Sequence, residues 1–242
     1  MPNRQKHRGQ HANDGRLFHE KWLPTLQEAV KDLSFLFTRK YSEKSALKIV
    51  GDRYKLNVRQ RLAVLRASCA KSSLLHRQAQ CVQAPLLKDN TVWIDAYNLL
   101  IGVESMLSDG IILHCVDGCY RDIASVHGTY RKVEETLPAL EIIGKSLEAL
   151  QVKQAVWYLD APVSNSGRLR GLLLNQSQEA GWNWEAHLVN NPDKTLVESE
   201  EIVISSDSWV LDHAKAWFNL NAYIIEHYIP QANVKWLDAG IK

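Results

Sequence analysis

The stretch TVWIDAYNLL, residues 91–100, decides the fold class. Its apolar run Val92–Ile94 is typical of a short buried strand, and Asn98–Leu107 has its apolar residues at helical spacing. The same change of pattern recurs after AVWYL, residues 155–159, and after EIVIS, residues 201–205. This alternation of strands and helices predicts an α/β fold with a three-layer (Rossmannoid) parallel sheet covered by helices on both faces.

Further elements are predicted on both sides of these strands. Strands are expected at Trp184–Val189 and Ala222–Ile225, and a helix at Ser208–Asn219. A hairpin beginning at Ile111 interrupts the pattern between the first helix and the second strand. The expected sheet therefore has five strands and carries one insertion.

The first ninety residues follow a different pattern. Residues 1–15 are polar and are expected to form a flexible basic tail. Trp22–Phe37 has helical spacing, and Asn57 followed by Gln60 is a capping-box variant that starts another helix. We therefore expect three parts, which are a tail (1–15), a small all-α basic domain (16–90) and an α/β domain (91–242).

The net charge of +2 conceals an asymmetry between the two ends of the chain. Residues 1–90 carry 18 Lys and Arg against 7 Asp and Glu, whereas residues 91–242 carry 11 against 20. A segment of net charge +11 favours binding to a polyanion such as RNA, because neutralising phosphates releases counterions. Alternatively, the basic segment covers the acidic one, within the chain or in a homo-oligomer.

Composition excludes several classes of protein. With 45% hydrophobic and 23% charged residues, the chain is an ordinary globular sequence. It has no apolar run near the roughly 18 residues that a membrane span needs, and no apolar segment at its start. We therefore expect a cytoplasmic protein that does not associate with membranes.

Aspartates follow three of the predicted strands. These are Asp95, Asp160 and Asp207, and Asp193 lies in NNPDKTL shortly before the last of them. Parallel strands bring their carboxyl ends to one edge of the sheet, where several carboxylates would repel one another. Protonation, basic partners or a divalent cation would relieve that repulsion. Carboxylate oxygens suit Mg²⁺ or Mn²⁺, which can activate water for attack on a phosphodiester. Each aspartate could instead serve only as a helix cap.

Other residues are candidates for binding the substrate. Asn98 could orient the substrate or water, or cap the first helix. Arg168 and Arg170, in a polar loop that leads into a helix, could hold a phosphate, although the loop could equally be simply solvated. The basic helices offer further cations for RNA phosphates, namely Arg53, Lys55, Arg59, Arg61 and Arg66.

These motifs resemble a known superfamily. TVWIDAYNLL resembles the opening strand of the PIN-like nucleases of the NYN branch, where an aspartate, a small residue, an aromatic residue and asparagine follow one another. AVWYLD and PDKTL…IVISSDSWVLD resemble the later acidic segments of that branch. The chain is also similar to an uncharacterised prokaryotic family that joins a basic helical domain to a PIN-like domain. That resemblance includes GDRYKLNVRQR (51–61) and HCVDGCYRDI (114–123).

The resemblance implies a Mg²⁺- or Mn²⁺-dependent endoribonuclease. It implies that Asp95, Asp160, Asp193 and Asp207 ligate the metal, and that Asn98 and Ser205 position the substrate or water. This chain departs from the pattern in two ways. It carries a long insertion that contains Asp117 and Asp122, and the sequence before Asp193 lacks the family's usual lysine-led signature. The fourth acidic ligand could therefore be Asp193 or one of three substitutes, which are Glu104, Asp117 and Asp212.

Two other functions remain open at this point. One is an RNA-binding module that keeps the PIN-like scaffold without turnover. The other is a phosphotransfer enzyme of the haloacid-dehalogenase type, which also places an aspartate after its first strand. That class has a second aspartate two residues later, where this chain has Tyr97.

Overall fold

The structure is a computed structural model that describes residues 6–124, 128–238 and 240. Its strands are, in chain order, β1 (Thr91–Asp95), β2 (Ile112–His114), β3 (Tyr120–Asp122), β4 (Gln154–Asp160), β5 (Trp184–Val189), β6 (Ile202–Ile204) and β7 (Val234–Trp236). Its α-helices are α1 (Asp14–Leu17), α2 (Leu23–Thr38), α3 (Glu43–Arg53), α4 (Val58–Ala67), α5 (Lys71–Gln80), α6 (Ala96–Leu107), α7 (Thr136–Ala149), α8 (Ser166–Ala180), α9 (Pro192–Val197), α10 (Ser208–His213) and α11 (Leu220–His227). Short 3₁₀ turns lie at Glu20–Trp22 and Ala84–Leu87. Within these described residues, no helix combines the length and apolar character that crossing a bilayer requires.

The main sheet has four parallel strands in the order β5-β4-β1-β6. The chain moves outward from β1 through β4 to β5, and then crosses to the opposite side of β1 to form β6. Such a reversal opens a crevice beyond the carboxyl ends of the two strands that flank it, and ligands of open α/β sheets bind there. In this chain the crevice lies at the ends of β1 and β6.

Helices cover both faces of this sheet. Val92, Ile94 and Trp157 belong to a core that also contains the apolar side chains of α6, α7 and α8. Val156, next to Trp157 on β4, and Val203, between Ile202 and Ile204 on β6, point to the other face and pack with Leu196 of α9 and the apolar side of α10. The predicted α/β architecture with a parallel sheet and a preceding helical region is thus confirmed.

A second, three-stranded sheet in the order β3-β2-β7 joins the helical region to the α/β region. The predicted insertion is a hairpin, in which β2 pairs with β3 in antiparallel register. Leu113 and Ile123 of this part share one core with Leu26, Leu33 and Val64 of the N-terminal helices. The hydrophobic core of residues 16–90 therefore continues into the insertion.

The predicted tail at residues 1–15 is wrong for its described part, residues 6–15. The side chain of Arg8 is 3% exposed, and its Nε donates to the buried Glu104 carboxylate over 2.7 Å. The hydroxyl of Ser108 donates to the carbonyl of Arg8, and Asp14 receives a bidentate ion pair from Arg59. Polar groups with partners distant in sequence hold this segment in place, and residues 1–5 lie outside the described part.

Two predictions near the C-terminus were also wrong. Ala222–Ile225 is not a strand but part of α11, because the Asn219 side chain caps that helix by accepting from the Ala222 amide. The helix expected over Ser208–Asn219 ends at His213. β7, which the sequence pattern did not predict, pairs in parallel with β2.

Candidate active site

Asp95 lies at the end of β1 and also caps α6. Its side chain is buried, and its Oδ2 accepts hydrogen bonds from Asn98 Nδ2 at 2.6 Å and from Ser205 Oγ at 2.8 Å. The backbone amide of Asn98 completes the cap by donating to Oδ1 of Asp95 at 3.3 Å. Asn98 is thus not the helix cap but a neighbour that fixes the carboxylate of Asp95.

Ser205 joins the ends of β1 and β6. Its buried hydroxyl donates to Asp95 and accepts from the Asp207 amide at 3.0 Å. Because both interactions are made inside the protein, Ser205 positions the two aspartates. The expectation that Ser205 positions the substrate or water stays a prediction.

Asp207 caps α10 with one of its oxygens. Its Oδ1 accepts from the amides of Trp209 at 2.8 Å and Val210 at 3.1 Å. The side chain borders an open cleft together with Asn98. The Asp207 carboxylate therefore caps α10 through Oδ1 and also borders the cleft, so a role as a helix cap is compatible with a role in the site.

Asp160 and Asp193 approach the crevice from β4 and α9. Asp160 is the last residue of β4, the neighbour of β1, and its buried Oδ1 has no hydrogen-bond partner. Asp193 is in the first turn of α9. Burial raises the pKa of Asp193, and the negative charges of Asp207 and Asp160 raise it further.

The pKa of Asp95 also responds to the neighbouring carboxylates. Burial, followed by the charges of Asp193 and Asp207, raises the pKa of Asp95 to about 7, despite opposing hydrogen bonds from Ser205 and Asn98. Within the described residues, none of the four predicted ligands forms an ion pair with a basic side chain. A proton on Asp95 or a cation beside it would relieve the repulsion between these carboxylates.

The three substitutes for the fourth ligand are all neutralised by arginines. Glu104 is buried against Arg8, and Asp212 accepts from Arg77 Nε at 2.7 Å. Asp117 is buried between Arg77 and Arg121. Asp193, whose pKa responds to Asp207 and Asp160, is the candidate that the structure places among the other carboxylates.

Carboxylates of this kind could hold a hydrated divalent cation. Among the residues that the structure describes, no group of three or more His, Cys, Asp or Glu is arranged to hold a metal ion directly. Mg²⁺ keeps several of its waters and is commonly held by one or two carboxylates, so it does not require such a group. The unpartnered Asp160 oxygen and the raised pKa of Asp95 are consistent with that kind of site.

A cleft of about 430 Å³ runs between the helical region and the carboxyl end of the sheet. Phe37, Tyr41 and Arg66 border it on the helical side, and Asn98 and Asp207 on the side of the sheet. Hydrogen bonds from Arg66 Nη1 to the carbonyl and carboxylate of Asp122 hold its side chain there. The cleft therefore brings a cation and aromatic rings close to the acidic edge.

Most of the other predicted RNA-binding cations do not border this cleft. Arg59 is bound to Asp14 and to the carbonyls of Ile123 and Gly9, so it serves the fold instead. Arg61 bonds to Asp52 and to the Leu56 carbonyl. Arg53 and Lys55 are exposed near the end of α3. Of the five predicted cations, Arg66 therefore borders the cleft and the other four do not.

Arg168 and Arg170 also lie apart from the cleft. Arg168 borders a separate cavity of about 370 Å³ beside Tyr130 and Asn165. Arg170 Nε donates to the Ala186 carbonyl of β5 at 2.8 Å. The two arginines therefore border different cavities, and a role for them in holding a phosphate stays a prediction.

Sequence reasoning missed two arginines at this site. Arg77 and Arg121 border the cleft, yet both are buried in ion pairs with Asp117. The four-residue spacing of Asp117 and Arg121 was a weak signal for a local pair. Nothing in the sequence near Arg77 indicates its partners, which lie 40 and 135 positions away.

The fold and site define an α/β protein with acidic residues at the switch point of a parallel sheet. A family model described as "Domain of unknown function (DUF5616)" matches residues 85–223, and one described as "Protein of unknown function (DUF434)" matches residues 25–80. The chain is 30% identical over 205 residues to "Uncharacterized protein MJ0935" of Methanocaldococcus jannaschii, covering 84% of this chain and 98% of that protein. No solved structure matches significantly. This chain belongs to the DUF5616 family.

Proposed function

We propose that this chain is a PIN-like endoribonuclease that uses Mg²⁺ or Mn²⁺ to hydrolyse phosphodiester bonds of RNA. The observation that carries the proposal is that Asp95, at the end of β1, lies close enough to Asp193 and Asp207 for their charges to raise its pKa. Neither family description names such an activity. The support is the position of the carboxylates at the ligand-binding edge of a parallel sheet.

The protein groups have distinct roles in this proposal. Asp95 and its neighbouring carboxylates hold the cation, while Asn98 and Ser205 keep Asp95 in one orientation. A bound cation would activate water and offset the charge that develops on the phosphate. Arg66 would hold a neighbouring phosphate in the cleft.

Aromatic residues support RNA as the polymer in the cleft. Phe37 and Tyr41 border it, and the Tyr41 side chain is exposed. Trp209, two residues after Asp207, is also exposed, on the solvent side of α10. Aromatic rings beside a charged groove stack unpaired bases, so these residues fit a single-stranded segment better than a small phosphate ester.

One observation favours the second candidate, an RNA-binding module without turnover. In the described part of the chain, no three acidic, histidine or cysteine side chains are already arranged around one cation position. A module of this kind would bind RNA in a salt-sensitive manner and would not cleave it. A cleavage assay separates it from the nuclease.

We predict cleavage of single-stranded RNA that depends on Mn²⁺ and stops when EDTA is added. Asp95→Asn should lower the cleavage rate at least about a thousandfold, because loss of metal assistance costs several kcal/mol of transition-state stabilisation. The assay uses the purified full chain with end-labelled RNA and DNA of the same sequence. Asp109→Asn is the matched control, since Asp109 is exposed and lies outside the site.

Two results would contradict the nuclease proposal. One is RNA binding without any cleavage, which would favour the binding module. The other is cleavage that Asp95→Asn leaves unchanged, which would indicate a contaminating nuclease or a different site.

A further inference from the structure

Two buried arginines from outside the main sheet hold the turn that carries Asp207. Arg121, on β3 of the inserted hairpin, donates from Nε to the Ser206 carbonyl at 2.7 Å. Arg77, on α5 of the helical region, donates from Nη2 to the Ser208 carbonyl at 3.1 Å. The backbone on both sides of Asp207 is therefore held by side chains from two other parts of the protein.

Asp117 couples the two arginines. It accepts from Arg121 Nη1 at 2.9 Å and Nη2 at 2.6 Å, and from Arg77 Nη1 at 2.6 Å. Although burial alone would raise the pKa of Asp117, the charges of Arg121 and Arg77 hold it well below its ordinary value. The three side chains thus form one charged and hydrogen-bonded unit beneath the cleft.

The position of this turn determines what Asp207 can offer to a ligand. Its Oδ1 is occupied by the amides at the start of α10, so the backbone sets where the second oxygen points. The same turn presents the Asp207 amide to Ser205, which in turn bonds to Asp95. A shift of residues 206–208 would consequently move two of the carboxylates.

We propose that Arg121 and Arg77 are positioning residues of the acidic site, so that the inserted hairpin and α5 set the geometry of Asp207. The inference rests on the proposed function in one respect, which is that the site holds a divalent cation. It assigns a role to the insertion by which this chain departs from the PIN-like pattern. It also makes the helical region part of the site instead of a separate RNA-binding attachment.

The test compares Arg121→Lys with Arg59→Lys. Lysine keeps the charge but cannot reproduce the planar, multidentate contacts of arginine. Arg59 is a matched control, because it also makes a bidentate carboxylate pair and donates to backbone carbonyls, but its partners are Asp14, Gly9 and Ile123, none of which belongs to the turn at residues 206–208. Arg121→Lys should weaken Mn²⁺ binding at least about tenfold and lower kcat without raising KM, whereas Arg59→Lys should stay within about twofold.

Hydrogen exchange provides a readout that does not depend on activity. Arg121→Lys should speed exchange of the Trp209 and Val210 amides, which the Asp207 side chain protects, and Arg59→Lys should not. If the wild type binds no Mn²⁺, the proposed function fails, while faster exchange would still support the positioning of the turn. Should Arg121→Lys fail to fold, Arg77→Lys carries the same test. Unchanged exchange and Mn²⁺ affinity in the folded variant would overturn the inference.

Discussion

Asp95→Asn is expected to stabilise the metal-free protein at pH 8 and to give no such gain at pH 4. Burial and the charges of Asp193 and Asp207 raise the pKa of Asp95 to about 7. In the unfolded chain an aspartate has a pKa near 3.9, a difference of about three units. The ionised carboxylate therefore lowers the stability of the fold, and asparagine removes that cost.

The sign follows from where the proton is bound. Between about pH 4 and pH 7 the unfolded chain has released this proton and the folded chain keeps it, so stability falls as pH rises. Above pH 7 the full cost, about 4 kcal/mol, is present. Asparagine cannot accept every hydrogen bond of Asp95, which offsets about 1 kcal/mol of the gain at either pH.

The measurement is urea unfolding of both proteins in EDTA at the two pH values. We expect the effect of Asp95→Asn on the free energy of unfolding to differ by about 4 kcal/mol between pH 8 and pH 4. Asp109→Asn, at an exposed position, should change stability by less than about 0.5 kcal/mol at both. An Asp95→Asn effect that does not depend on pH would show that burial and the neighbouring charges do not raise the pKa of Asp95 in the folded protein.

Arg8→Met is expected to destabilise the protein by about 3–5 kcal/mol. The Glu104 carboxylate is fully buried, and burial raises its pKa even though Arg8, Thr136 and Tyr130 all favour its ionised form. Removing Arg8 leaves that charge without its cation. The change also removes a hydrogen bond to the Arg131 carbonyl and a contact with the Tyr130 ring at 5.0 Å.

A double variant separates the ion pair from simple packing. Arg8→Met combined with Glu104→Gln should recover part of the loss, because no unpaired buried charge remains. His7→Ala is the neighbouring control, and since the His7 side chain is 44% exposed against 3% for Arg8, it should change stability much less. Thermal and urea unfolding report all three. Wild-type stability in Arg8→Met would mean that residues 6–14 do not pack as described.

Local sequence patterns correctly predicted the strands of the main sheet and one helix cap. The strands β1, β4 and β6 contain apolar runs, β5 alternates buried and exposed residues over its first four positions, and Asn57 with Gln60 forms the expected capping box. Ala222–Ile225 was wrongly predicted as a strand because most of its residues favour strands. It is helical because the Asn219 side chain caps α11 and because Leu220 and Ile224, four positions apart, are both buried. β7 is only three residues long and depends on pairing with β2. Its first residue, Val234, pairs with Ile112, which lies 122 positions earlier in the chain.

The placement of Asp95, Asp160 and Asp207 at one edge of the sheet could be predicted, because the carboxyl ends of parallel strands lie at the same edge. The roles of the arginines could not, since the charge of a side chain does not reveal which carboxylate it meets. Arg59 looked like an RNA contact and binds Asp14. Arg8 looked like part of a tail and binds Glu104, 96 positions away. These partners are products of the tertiary fold.

Titration with Mn²⁺, followed by the loss of the free-ion signal in electron paramagnetic resonance at pH 7.5, tests the central claim most directly. We expect the wild-type protein to bind Mn²⁺ at one site, with Mg²⁺ competing for it. Asp95→Asn should weaken that binding at least about tenfold, and Asp109→Asn should bind like the wild type. Failure of the wild type to bind Mn²⁺, or equal binding by Asp95→Asn, would contradict the claim that these carboxylates gather to hold a divalent cation.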